Sequence, residues 1–162
     1  MKCSPTALMK RASTWEHDPT MTILYFGDFN PDYARNRVII RGLEQNGARV
    51  IYSIRSAHDF VIVGYSDSRW TMPLAWLLCR KPIVWDAFYS LYDSWVFDRK
   101  LVSPSSVKAK YYWLLDWLSC MLADRILLDT NAHIDYFAKT FRIDKRKFIR
   151  VLIGADDKIF HP

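Results

Sequence analysis

Short apolar runs that alternate with helix-like stretches limit the fold of this chain more than any other feature of its sequence. Six such runs occur, at residues 23–26, 50–52, 60–63, 83–85, 126–128 and 148–153. Continuous apolar runs of this length are typical of strands that are buried on both faces, as in parallel sheets. The runs therefore predict a sheet whose two faces are both covered.

Helix signals fill the intervals between these runs. Asn30-Pro31 is a candidate N-cap followed by a first helical position, and Asn46-Gly47 supplies a stop. Further helices are predicted over residues 69–79, after Ser103-Pro104, and after an N-cap at Thr130. Strands that alternate with helices predict an α/β fold, a Rossmann-like and mainly parallel sheet with helices on both faces.

One connection does not fit the regular pattern. Only residues 53–59 separate the second predicted strand from the third. Parallel neighbours need a crossover of about a dozen residues to return to the same end of the sheet. We therefore expect no helix there, and a second strand that is either shortened and displaced or abnormally paired.

The length of 162 residues fits one domain with a single core. We expect residues 1–20 to form a disordered leader without an export signal, and residues 21–162 to form the domain. Cys3, Cys79 and Cys120 are too widely spaced for a disulfide framework, so reduced thiols in a cytoplasmic protein are the simplest interpretation. No apolar run approaches the roughly 20 residues of a membrane-spanning helix.

The sequence carries no signature of a resident cofactor or metal. It has no glycine-rich dinucleotide fingerprint, no phosphate-binding loop and no nucleophile elbow. Its four histidines do not form a ligand cluster, and we expect His133 to lie in the first turn of a helix, facing solvent. No cofactor and no metal are expected.

The formal net charge of +6 favours an anionic partner such as a phospholipid surface or a nucleotide, although a basic surface also serves solubility. The sequence contains no signature of a nucleic-acid-binding module, so we expect no nucleic acid as a partner. The aromatic stripe Tyr111, Tyr112, Trp113 and Trp117 leaves two interpretations open, a buried core or an aromatic surface for a sugar or a membrane.

Candidate functional residues follow the predicted strands, because ligands of parallel sheets bind at the carboxyl ends. Gly27-Asp28 follows the first strand, Ser66 the third, Asp86 the fourth and Thr130 the fifth. A strand-ending glycine is also an ordinary turn residue, and Thr130 is also a helix cap. Asp86 is less ordinary, because a carboxylate directly after an apolar strand needs a partner or a ligand.

Four segments carry a family resemblance. They are residues 42–50 (GLEQNGARV), 81–93 (KPIVWDAFYSLYD), 123–137 (ADRILLDTNAHIDYF) and 150–162 (RVLIGADDKIFHP). In their order and spacing they resemble the N-terminal domain of family 4 retaining glycosyltransferases, over most of residues 22–162. The resemblance implies one half of a GT-B fold, in which two Rossmann-like domains face each other and the C-terminal one binds most of the nucleotide-sugar donor.

This resemblance implies an acceptor-side glycosyltransferase domain, located in the cytoplasm or at the inner face of the membrane. Asp86 would be the catalytic residue, and Gly27, Asp28, Ser66, Tyr89 and Thr130 would bind the acceptor. The family often has a histidine at the position of Asp86, and its glycine-rich first loop is represented here by Gly27-Asp28 alone.

The family's donor-binding E-x7-E motif would lie beyond Pro162, so we expect the donor domain to be absent from this chain. The expected partners are a sugar or lipid-linked acceptor, a nucleotide-sugar donor only when a second domain is present, and a donor-domain subunit or a second copy of the chain. Peripheral contact with a membrane is a further expectation. The isolated chain is expected to be inactive.

Two other functions stay open at this point. The chain could be a non-enzymatic α/β module for ligand or partner binding that derives from a glycosyltransferase. It could also be a flavodoxin-like protein that binds a small molecule or nucleotide, an interpretation that rests on fold analogy alone.

Overall fold

A six-stranded sheet, in which every strand runs parallel to its neighbours, forms the centre of the molecule. The computed structural model describes residues 21–66 and 68–154. The strands are β1 (Thr22–Phe26), β2 (Arg49–Ile51), β3 (Phe60–Val63), β4 (Ile83–Phe88), β5 (Arg125–Leu128) and β6 (Phe148–Arg150), in the order β2-β1-β3-β4-β5-β6. The predicted α/β, Rossmann-like fold is confirmed. The expected leader, residues 1–20, lies outside the described residues.

Helices connect most of the strands. They are α1 (Ala34–Gln45), α2 (Thr71–Leu78), α3 (Leu91–Asp93), which continues as a π-helical turn (Ser94–Asp98), α4 (Val107–Leu122) and α5 (Asn131–Phe141). A short 3-10 turn (Lys145–Lys147) precedes β6. Among the described residues, none of these helices has the length and apolar character needed to cross a bilayer.

The sheet is covered on both faces, as predicted. On one face Ile23, Tyr25 and Ile62 pack with Ile40 of α1. The other face has the larger core, in which the remaining strand residues pack with α2, α4 and α5. Its fully buried members include Leu24, Val61, Met72, Ala75, Ile126, Leu128, Phe137 and Phe141. Because successive strand residues point to opposite faces, the apolar runs of β1, β2, β3 and β4 contribute to both cores, whereas β5 and β6 contribute to the larger one.

The aromatic stripe of α4 divides between several environments. Trp113 and Trp117 stack with ring centroids 6.1 Å apart and pack against the larger core. Tyr112 is half-buried and Tyr111 is exposed. The core interpretation therefore holds for the two tryptophans but not for Tyr111.

The connection from β2 to β3 contains no helix, which confirms the prediction for this segment. β2 and β3 lie on opposite sides of β1. The end of β2 is level with Leu24 of β1, and the start of β3 is level with the preceding residue, Ile23. The backbone N–H of Asp59 donates to the carbonyl of Thr22, and the Asp59 carboxylate accepts from the Thr22 N–H, both at 2.8 Å. Because β2 has only three residues, the chain has little distance to return, and residues 52–59 suffice.

The predicted start of α1 is wrong. The Asn30 side chain accepts from the backbone N–H of Asp32 at 2.9 Å and so closes a local turn, and the helix begins only at Ala34. Asparagine side chains commonly bond two residues onward in this way, in competition with capping. The predicted stop is confirmed, since α1 ends before Asn46 and Gly47 has a φ of +82°.

The cap of α4 differs from the predicted one, whereas the cap of α5 does not. Ser106, not Ser103, caps α4, with its hydroxyl accepting from the N–H of Ala109 at 3.1 Å. The Thr130 hydroxyl accepts from the N–H of His133 at 3.1 Å, so the predicted cap of α5 is confirmed.

Candidate functional site

A cleft of about 910 Å³ opens at the carboxyl edge of the sheet. Its lining comes from the segments that follow β1, β3, β4 and β5, together with α4 and α5. The lining residues are Tyr33, Tyr65, Phe88, Tyr89, Ser90, Leu91, Asp93, Ser94, Trp95, Asp98, Arg99, Tyr112, Asp129 and His133. Strand order reverses between β1 and β3, and this is the edge where parallel sheets bind their ligands.

Aromatic rings form one wall of the cleft. Tyr65 is central to this wall, with its ring centroid 5.0 Å from Tyr33, 5.1 Å from Phe88 and 5.7 Å from Tyr89. Phe88 has a φ of +59°, which is unusual for a residue with a side chain, and it follows a register shift in the pairing of β4 with β5. Strained backbone of this kind concentrates at binding and catalytic sites.

A buried asparagine holds the loops that carry this wall. The Asn36 amide donates to the carbonyls of Asn30 and Tyr65, at 2.9 and 3.0 Å, and its oxygen accepts from the Tyr65 N–H at 3.0 Å. The hydroxyl of Tyr25 donates to the same oxygen at 3.0 Å. Asn36 therefore ties the loop after β1 to the loop after β3.

Asp86 lies beneath the cleft and is fully buried. The Arg35 guanidinium donates to its carboxylate through Nε at 2.8 Å and lies 2.7 Å away through Nη2. Burial raises the pKa of the Asp86 carboxyl, and the hydrogen bonds from Arg35 oppose that rise. The same guanidinium lies 4.8 Å from the ring centre of Phe88, so the ion pair supports the strained residue of the wall.

A second buried ion pair supports the opposite side of the floor. Arg69 donates to the carbonyls of Ser66 at 3.2 Å and Tyr89 at 2.8 Å, and its Nε lies 3.3 Å from Asp116. The Asp116 carboxylate also accepts from the Ser90 hydroxyl at 2.8 Å. Desolvation raises the pKa of the Asp116 carboxyl, and the positive charge of Arg69 counters it. This network joins the loops after β3 and β4 to α4.

Asp129 and His133 form a hydrogen-bonded pair on the cleft wall. His133 Nδ1 lies 2.6 Å from Asp129 Oδ1, and the His133 side chain is 40% exposed. A carboxylate on Nδ1 holds the neutral ring in the tautomer that carries the proton there, which leaves Nε2 free to accept a proton. The pair therefore has the geometry of a general base with an orienting carboxylate.

The sequence-predicted site residues occupy different environments. Of these residues only Tyr89 lines the cleft. Asp28 is exposed, and Ser66 Oγ lies 3.3 Å from the Ser68 carbonyl. Thr130 is occupied as the cap of α5.

Gly27 also has a structural role. Its φ is +124°, and a Cβ built there would lie 2.7 Å from Cγ2 of Thr71 at the start of α2. The glycine is needed for the turn and for close packing against α2. Its proposed contact with an acceptor stays a prediction, as do those of Asp28, Ser66 and Thr130.

Sequence reasoning missed the Asp129 and His133 pair. The signal was available, because residues four apart at a strand-to-helix junction come within hydrogen-bonding distance. The pairing of Arg35 with Asp86, 51 residues apart, left no such local signal. Among the described residues, no group of three or more His, Cys, Asp or Glu side chains is placed to hold a metal ion.

Comparison of the chain with protein-family models and with curated proteins found no match.

Proposed function

We propose that this chain is the acceptor-side domain of a two-domain glycosyltransferase of the GT-B type. The observation that supports this best is the open cleft at the carboxyl edge of a parallel sheet, lined by aromatic rings and by a histidine paired with a carboxylate. Aromatic rings present an apolar face to the C–H surface of a sugar, and polar side chains at the rim bind its hydroxyls.

In this proposal His133 acts on the acceptor. Asp129 holds the imidazole, and Nε2 takes the proton of an acceptor hydroxyl as that oxygen bonds to the anomeric carbon of the donor sugar from the face that the diphosphate leaves, so that the configuration is retained. The nucleoside diphosphate leaves with the electrons of the bond that breaks. Asp86, the residue predicted from sequence, would have to exchange Arg35 for a ligand before it could act, and its catalytic role stays a prediction.

The donor belongs, in this proposal, to a second domain on the same or another chain. GT-B transfer takes place in the cleft between two domains, and positioning of the reactants contributes up to about 7–11 kcal/mol of barrier reduction. One α/β domain supplies only one side of that cleft. We place the enzyme in the cytoplasm, with which the buried, unpaired thiols of Cys79 and Cys120 are consistent.

The test uses purified chain, a panel of nucleotide sugars, and sugar or lipid-linked acceptors, with and without a GT-B donor domain. We expect no transfer by the chain alone, and transfer when the donor domain is added. His133→Ala should reduce that transfer by about 10²-fold or more, as expected when a general base is lost. His58→Ala is the matched control, because His58 bonds the Ser56 carbonyl at 2.8 Å and does not line the cleft.

Robust transfer by the chain alone would contradict the half-enzyme proposal. Equal rates for His133→Ala and His58→Ala would contradict the role of His133 as the base.

The ion pair of Asp86 favours a second candidate, a non-enzymatic module that binds a ligand or partner. The structure places Asp86 within β4, not after it, and its carboxylate is saturated by Arg35, at the position where the similar family often has a histidine. Binding of a sugar in the cleft, without transfer under any combination of donor and donor domain, would support this candidate instead.

A further inference from the structure

The outer surface of α2 is apolar along its whole length. No charged side chain occurs between Trp70 and Cys79. Trp70, Leu74 and Leu77 are exposed, and Leu77 is 71% exposed. A surface helix normally carries polar side chains on its outer face, and a helix that is apolar all round is typically covered. The exposed side of α2 is therefore expected to have an occupant.

Helix α4 extends this surface. Tyr111, Leu114 and Met121 are exposed on α4, and Trp70 Nε1 donates to the Tyr111 hydroxyl at 3.0 Å across the two helices. We call the combined surface the α2/α4 face, defined by Trp70, Leu74, Leu77, Tyr111, Leu114 and Met121. Contiguous apolar surfaces of this kind on soluble domains mark sites of association.

Most of the charges that flank the α2/α4 face are positive, and Asp124, just after α4, is the exposed exception. Arg80 and Lys81 follow α2, and Lys108 and Lys110 lie in the first turn of α4, all exposed. The one acidic residue of α4, Asp116, is fully buried and faces the cleft floor. The face thus offers apolar side chains flanked by cations, without an exposed carboxylate on either helix.

We propose that the α2/α4 face docks on the surface of an anionic phospholipid bilayer. Tryptophan and tyrosine favour the level of the lipid headgroups, and leucines penetrate the boundary of the acyl chains. Lysine and arginine beside them attract anionic headgroups. The eight residues of α2 are far too few to cross a hydrocarbon core of about 30 Å, so the helices lie on the membrane.

A second copy of the chain fits this surface less well. In a two-fold dimer the same patch meets itself, so Arg80, Lys81, Lys108 and Lys110 of both copies would approach one another. Like charges brought together oppose association. The charge pattern therefore favours a negatively charged lipid surface over self-association.

The α2/α4 face continues toward the cleft. Tyr111 belongs to the face, and Tyr112, the next residue, lines the cleft. If the chain has the proposed function, an acceptor anchored in the bilayer can thus reach the cleft of a docked domain. Docking itself does not depend on that function.

The experiment is co-sedimentation of the full chain with vesicles of phosphatidylcholine alone and with vesicles that contain about one third phosphatidylglycerol. We expect binding to the anionic vesicles that exceeds binding to neutral ones by at least tenfold and falls with added salt. The double variant Leu74→Glu/Leu77→Glu should lower the partition coefficient at least tenfold, because it replaces penetrating leucines with carboxylates.

The matched control is Leu152→Glu/Ile153→Glu, which adds the same charges at two exposed apolar residues outside the α2/α4 face. It should bind vesicles more tightly than Leu74→Glu/Leu77→Glu, and circular dichroism establishes that both variants fold. Lys108→Gln/Lys110→Gln should weaken binding to anionic vesicles but not to neutral ones. His133→Ala should bind as the unaltered chain does, which separates docking from the proposed chemistry.

Three outcomes would overturn the proposal. The first is equal binding by the two glutamate double variants. The second is no binding to anionic vesicles by the folded, monomeric chain. The third is self-association that Leu74→Glu/Leu77→Glu abolishes in the absence of any vesicle binding, which would assign the surface to a second copy.

Discussion

Removal of the Asp86 carboxylate provides the sharpest test of how this site is built. The Arg35 side chain is only 3% exposed, and Asp86→Ala removes the carboxylate partner of its guanidinium. Loss of one member of a buried ion pair typically costs about 3–5 kcal/mol, because a buried charge is left uncompensated. A domain of this size has a free energy of unfolding of about 5–15 kcal/mol, so a large fraction would be lost.

The assays are urea unfolding and thermal unfolding of the unaltered chain and of Asp86→Ala, both monitored by circular dichroism. Since 1 kcal/mol shifts the melting temperature by about 2–4 °C for domains of 150 residues or more, we expect Tm to fall by roughly 6–20 °C. Asp28→Ala, which removes an exposed carboxylate from the neighbouring loop, should change the free energy of unfolding by at most about 0.5 kcal/mol.

The double variant Arg35→Met/Asp86→Leu separates the charge from the packing. Replacement of both partners by apolar side chains of similar volume is often neutral or stabilising, so the double variant should be more stable than Asp86→Ala. A double variant no more stable than Asp86→Ala would refute the argument from uncompensated charge. An Asp86→Ala variant as stable as the unaltered chain would show that the carboxylate is not needed for folding.

Three further changes in stability follow from local contacts, each measured by urea unfolding. Gly64→Ala should lower the free energy of unfolding by about 1–3 kcal/mol, because the new Cβ would overlap the ring of Tyr25. Gly42→Ala should raise it by up to about 1 kcal/mol, because the space around Gly42 is open and alanine favours the helical conformation of α1. Lys147→Met should lower the free energy of unfolding by about 1.5–3 kcal/mol, because the Lys147 ammonium donates to three carbonyls at the end of α4. Lys145→Met should lower it by at most about 1 kcal/mol, because the ion pair of Lys145 with Asp135 is exposed. Thr130→Ala should cost about 1 kcal/mol through the lost cap of α5, and no change would mean that the cap is dispensable.

The sheet could be predicted from the sequence because its signal is repeated. Each buried parallel strand is a short apolar run, and the helices between them carry their own stop and start residues. Even the missing helix between β2 and β3 could be predicted, since it follows from the length of the connection alone. These features depend on residues that are close in the sequence.

Helix starts were harder to predict because several side chains compete for the same backbone groups. Asn30 closes a turn with Asp32 instead of capping α1. Near α4, Ser103 and Ser106 are both plausible caps, and only the path of the chain selects Ser106. Local hydrogen bonds of nearly equal quality decide such boundaries.

The floor of the cleft could not be predicted because its partners are distant in the sequence. Arg35 belongs to the surface helix α1, and the fold brings its guanidinium to Asp86 of β4, 51 residues away along the chain. From the sequence alone, Asp116 would be assigned to the exposed side of α4. Its burial beside Arg69 is evident only from the structure. Both pairs depend on how α1 and α4 pack against the sheet.

The shortness of the two outermost strands affects how copies of this domain behave at high concentration. β2 and β6 have three residues each, so each sheet edge exposes few unpaired backbone groups to another chain. Short edges discourage the strand-to-strand joining that starts fibril growth. Uncontrolled aggregation of the folded domain is therefore expected to begin at apolar helix surfaces, and charged substitutions there should improve solubility more than changes at the sheet edges.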